Sequence, residues 1–129
     1  MNVTYKNDNV YLNLNNNINK KKYIVMLVKM EGCGACNNFK SSWNILLSDP
    51  SFTENFNFIT IDSKNDRFII DTLTMYGSKL SKYNNTIIEY FPTLLIFKND
   101  KESDYIFYEK FIYNRNTLKA YLNSLQSNL

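Results

Sequence analysis

Cys33 and Cys36 are the only cysteines in this 129-residue chain. They stand within residues 22–39, KYIVMLVKMEGCGACNNF, where an apolar run gives way to a short glycine-containing turn and then to a helical pattern. A helix N-terminus carries unpaired N–H groups and the positive end of a dipole. A thiol placed there is biased toward thiolate, the nucleophilic and metal-binding form. Redox work is the first chemistry this points to, since a C-x-x-C beside strand–helix–strand elements in a chain without an export signal reads as a dithiol site.

The elements that must hold the pair are readable on either side. Residues 23–30, YIVMLVKM, are a near-continuous apolar run of strand length, the pattern of a strand covered on both faces in a partly parallel sheet. Beyond Cys33 the period changes. Cys36, Phe39, Trp43, Leu46 and Leu47 mark an apolar stripe on a helix, with Lys40, Ser41, Asn44 and Ser48 between them. Asp49-Pro50 ends or redirects that helix. Residues 58–62, FITID, are a second buried strand, and the crossover joining the two should be right-handed. Phe68, Ile69, Leu73, Tyr76 and Leu80 predict a helix over 65–81, with Asn65 or Asp66 as N-cap. Residues 82–90 read as a loop.

Residues 91–97, FPTLLIF, place a proline before an apolar strand. Asn99-Asp100-Lys101-Glu102 supply a hairpin turn, and 105–108 the returning strand. Asn114 or Asn116 caps a last helix with Leu118, Tyr121, Leu122 and Leu125 on one face. At the start, 10–14 read as a short strand and 15–22 as a polar loop. The expected architecture is α/β: one domain over 1–129, its central mixed sheet flanked by helices on both faces, with 1–9 and 126–129 as disordered tails.

Composition narrows the function classes. With 44% hydrophobic and 16% aromatic residues there is material for one core. The net charge of +3 comes from scattered lysines, with no basic stripe interleaved with aromatics, so a nucleic-acid partner is not expected. No stretch approaches the ~18 apolar residues of a membrane span, and the N-terminal residues lack the continuous apolar segment of an export signal. The expected location is therefore cytoplasmic or otherwise intracellular, where a cysteine pair is more often catalytic or metal-binding than a structural staple. The bias toward Asn, Lys, Ile, Tyr and Phe fits an AT-rich genome: a parasite, a low-GC bacterium or a large DNA virus, the last of which adds the virion as a location.

Three segments together resemble the thioredoxin-like superfamily across residues 10–125: VKMEGCGAC closing a strand, FPTLLIF further along, and YNRNTLKAYL, which is similar to the last loop and helix of protein disulfide isomerase-type domains. The resemblance implies the thioredoxin fold and thiol–disulfide exchange. It makes Cys33 the nucleophile and Cys36 the more buried resolving thiol, the two closing to a redox-active disulfide across the first helical turn. It makes Phe91–Pro92 a cis peptide and places Gly32, Gly34, Ala35, Phe91, Pro92 and Thr93 at the substrate. It implies protein or peptide disulfide substrates, an electron donor or acceptor, and no organic cofactor or metal.

Departures from that pattern bear on proton handling. The aromatic usual before the first cysteine is Gly32, and the proline usual between the cysteines is Ala35. The buried acid usual six positions before the first cysteine falls at Leu27, and its lysine partner's position at Phe58. Glu31 opposes the thiolate. Residues 62–92 are longer than in the minimal fold. Three other readings of the pair stay open: half of a zinc site completed by carboxylates or a second chain, a redox-silent adaptor binding protein partners, and a structural pair in an unrelated fold.

Overall fold

The computed structural model describes residues 1–14, 21–80, 87–101, 104–111 and 115–128, with 115–117 described by backbone alone. In chain order the elements are β1 (Asn2–Lys6), β2 (Asn9–Asn13), β3 (Tyr23–Lys29), α1 (Gly34–Ser48), α2 (Pro50–Thr53), β4 (Phe56–Asp62), α3 (Arg67–Gly77), β5 (Thr93–Lys101), β6 (Asp104–Phe111) and α4 (Arg115–Ser127). The strands form one mixed sheet in the order β1-β2-β6-β5-β3-β4. The strand leading to the cysteines, β3, lies inside it, parallel to β4 and antiparallel to β5.

Alternation along β3 explains its unbroken hydrophobicity. Tyr23, Val25 and Leu27 face one way, packing with Phe39, Trp43 and Leu46 of α1 and Leu118, Leu122 and Leu125 of α4. Ile24, Met26 and Val28 face the other, against Ile70 and Leu73 of α3 and against Val10 and Leu12 of β2. Each such side chain removed from water contributes roughly 1.5–3 kcal/mol, and a strand covered on both sides gains on both. An aromatic pair pins α1 to β4, Trp43 meeting Phe58 edge-on at 5.5 Å between centroids, and within α1 Trp43 lies against Phe39 at 6.0 Å.

The early strand of 10–14 is β2, one residue earlier. Residues 1–9, read above as a tail, mostly form β1, paired along its length with β2. The reason is local turn chemistry. Asn7 and Asp8 take φ of +52° and +62°, the left-handed region that short polar side chains tolerate and that a two-residue hairpin needs. Val3 and Tyr5 then pack on the second core, and Tyr5 stacks on Tyr76 at 5.7 Å. At the other end α4 runs on through Ser127.

α1 ends at Ser48, as expected from Asp49-Pro50, and Pro50 opens the one-turn α2, with Asp49 accepting from Ser51 N–H at 3.0 Å. Other element ends differ from expectation. The helix expected over 65–81 is the shorter α3. Asp66 stands at its N-cap, yet its carboxylate makes no capping bond and instead accepts the Asp62 N–H at 3.0 Å. The expected turn at Asn99-Asp100-Lys101 is still strand, because β5 continues through Lys101 with register shifts against β6; Glu102 lies outside the described residues. Asn116 is inside α4 rather than at its cap, while Asn114 and residues 81–86 of the expected loop also lie outside the described residues.

Candidate active site: a dithiol at the head of a helix

The chain leaves β3 at Lys29 and reverses through Met30-Glu31-Gly32. Gly32 adopts φ +77° with open space where a Cβ would stand, so glycine there serves the backbone and leaves the surface bare. Cys33 N–H closes the turn on Met30 O at 3.3 Å. Cys33 is then the N-cap of α1: its carbonyl accepts the Asn37 N–H at 3.0 Å, and its sulfur accepts the Cys36 N–H at 3.1 Å. An otherwise unpaired donor at the helix start is thereby spent on the thiol.

A second element reaches the same sulfur. Cys33 Sγ–H donates to Phe91 O at 3.6 Å. Phe91 precedes Pro92 through a cis peptide. Thr93, 3% exposed, opens β5 level with Val28, and its hydroxyl donates to Tyr90 O. Gly32, Gly34 and Ala35 flank Cys33 in the chain and are exposed; on the strand side Phe91 reaches Cys33 through its carbonyl, and Pro92 and Thr93, next in the chain, are buried.

The two thiols differ in surroundings. Both are unbridged; Cys33 is half-buried and Cys36 is buried. Burial pushes the Cys36 thiol up from its ordinary value, and its hydrogen bond to Cys33 acts in the same direction. The Met30 backbone and the Lys29 charge act the other way.

Leu27 is 4% exposed beneath the helix. The residue level with it on β4 is Thr60, whereas Phe58, the position suggested by the sequence, is level with Val25. Thr60 Oγ1 accepts the Trp43 indole N–H at 2.9 Å. Beside them a cleft of about 280 Å³ is lined by Leu27, Lys29, Cys36, Lys40, Trp43 and Thr60 among others. Sequence reading passed over Lys29 and Thr60. Strand alternation was the available signal for Lys29, two residues beyond Leu27 and so on the same face. Glu31, the nearby acid, pairs with Lys64 at 3.8 Å with both side chains largely exposed, a pair worth little. Among the described residues, no three His, Cys, Asp or Glu side chains gather as a metal-holding group.

No protein-family model matches the chain, and no curated protein matches it. Solved structures do. The germline-specific thioredoxin Deadhead of Drosophila melanogaster superposes with a TM-score of 0.60 at 15% identity, covering 83% of this chain and 84% of that one. The Malassezia sympodialis thioredoxin Mala s 13 gives 0.59 at 16% identity, covering 82% and 76%. The Trx4 domain of ERdj5 gives 0.59 at 16%, covering 86% and 85%. With its six-stranded mixed sheet and flanking helices, the chain has the thioredoxin fold. Among the described residues no helix is long and apolar enough to cross a membrane.

Proposed function

We propose that this protein is a thiol–disulfide oxidoreductase acting on protein or peptide disulfides through Cys33 and Cys36. The observation that carries the reading is the asymmetry of the pair: a half-exposed sulfur held by the helix's own N–H, with a buried thiol one turn on.

In the reducing direction, Cys33 thiolate attacks one sulfur of the substrate disulfide. The substrate S–S bond breaks, its far sulfur leaves as thiolate and takes up a proton, and a Cys33–substrate mixed disulfide remains. Cys36 then loses its proton and attacks Cys33 Sγ. The mixed disulfide breaks, the second substrate sulfur departs with the electron pair, and Cys33–Cys36 closes. Two electrons pass to the substrate, and an external dithiol or other electron partner restores the pair; run backwards, the same steps oxidise. The dithiol is the redox group, and no organic cofactor takes part. Phe91, Pro92 and Thr93 offer an edge beside Cys33 for an extended substrate, and Gly32, Gly34 and Ala35 leave it room.

Removing the resolving thiol tests this. Cys36→Ser should accumulate mixed disulfides with disulfide-bearing proteins through Cys33, released by dithiothreitol and absent from the Cys33→Ser/Cys36→Ser protein. No trapped species, together with no disulfide reduction by the native protein given a dithiol donor, would sink the reading. A second reading, a redox-silent adaptor, draws on the absence of an acid at Leu27; partner binding that survives loss of both cysteines would favour it.

A further inference from the structure

Resolution of the mixed disulfide needs Cys36 to give up a proton, and burial opposes this. Leu27 offers no base, and Thr60 is already engaged by Trp43. The cleft reaches Cys36 from this side, at about 280 Å³, while a water's share of liquid is about 30 Å³. It can therefore hold several waters. Lys29 follows Tyr23, Val25 and Leu27 onto the α1-facing side of β3 and lines the cleft with Cys36. Its carbonyl is fixed by Ser63 N–H at 3.0 Å, and its Cα is level with Asp62.

The other charged or titratable groups near Cys36 are few. Cys33 is bonded into the disulfide at that stage. Glu31 in the turn pairs with Lys64, and Lys40, one turn beyond Cys36 on α1, lines the same cleft, but of the two lysines it is the Lys29 charge that acts to lower the Cys36 thiol. At the end of β4, Asp62 accepts from the backbone N–H groups of Lys64 and Asn65.

We infer that Lys29 is the positioning cation of the resolving step: it favours the Cys36 thiolate across the water-accessible cleft, where Leu27 occupies the position the resemblance gives to a buried acid. The inference rests on the exchange reading. The proton passes from Cys36 Sγ to water in the cleft and out to bulk, Lys29 stays protonated, and the thiolate left behind attacks Cys33 Sγ as described above.

The two steps separate with 5,5′-dithiobis(2-nitrobenzoate). Attack by Cys33 releases one coloured thiolate at a rate proportional to reagent. Resolution by Cys36 releases the second at a rate independent of reagent. Lys29→Gln should slow the second release roughly three- to tenfold at neutral pH and move its pH midpoint upward, with the first release unchanged within about twofold and Lys29→Arg restoring the second. A second release with unaltered rate and pH profile in Lys29→Gln overturns the role of Lys29. Absence of any first release from the native protein overturns the exchange reading instead.

Discussion

Cys33 does at the head of α1 what serine or aspartate ordinarily does. Its sulfur accepts a backbone N–H at 3.1 Å, so the same atom terminates a helix and is the candidate nucleophile. The two duties are separable by substitution. Cys33→Ser keeps an acceptor at the cap and should fold almost as stably as the native chain, whereas Cys33→Ala loses the cap and should be less stable than Cys33→Ser by about 0.5–2 kcal/mol. Urea denaturation of the two variants measures the difference; equal midpoints would mean the cap bond contributes nothing. At this scale Cys33, Cys36, Pro92 and the absent acid at Leu27 were all legible in the sequence, because each is tied to a short motif or a fixed offset from one. Lys29 and Thr60 were not. Their significance comes from strand register, which sets Thr60 level with Leu27, and from a cleft formed by residues distant in sequence.

Elements were readable where one periodicity ran unopposed, as in β3, α1 and the apolar half of β5, and misjudged where a remote contact decided the boundary. α3 is the clearest case. Apolar spacing extends to Leu80, yet the helix stops at Gly77, where fully buried Ile87 packs so closely that an added Cβ would lie 2.7 Å from its Cγ1 and 2.9 Å from its Cγ2. Those atoms are held near the Ile87 backbone and cannot swing clear. Gly77→Ala should therefore lower stability by about 1–2 kcal/mol, the cost of overpacking exceeding the gain in helix propensity. A thermal melt checks this, and a melting temperature at or above the native one would show that Ile87 can yield. β1 is not announced for the opposite reason: along its short alternation exposed residues alternate with half-buried ones and none is fully buried, and only docking against Tyr76 and β2 makes it worth forming.

Across the molecule, the β1–β2 hairpin extends the sheet beyond β6, so β6 and β5 separate it from β3 and the thiols. Its contribution is to the second core, where Leu12 is completely buried. Leu12→Ala should cost about 2–5 kcal/mol, read as a lower urea midpoint, while leaving the first-step rate of the folded protein with a disulfide reagent unchanged; a slowed first step would mean the hairpin also tunes the site. The mixed sheet with helices on both faces was foreseeable from the order of elements, but the hairpin's place at the far edge depended on pairing between Tyr11–Asn13 and Asp104–Ile106, contacts no local pattern announces. The sheet also sets where the chain enters and leaves. Asn2 is level with Asn13, beside the start of β6, and near the end of α4 Gln126 accepts from Asn55 at 2.9 Å, just before β4. Both positions are at the foot of the sheet, while Cys33 stands beyond the opposite end of β3. A purification tag, a surface tether or a neighbouring domain joined at either end hangs from the pole away from the sulfurs, leaving an arriving disulfide an unobstructed approach.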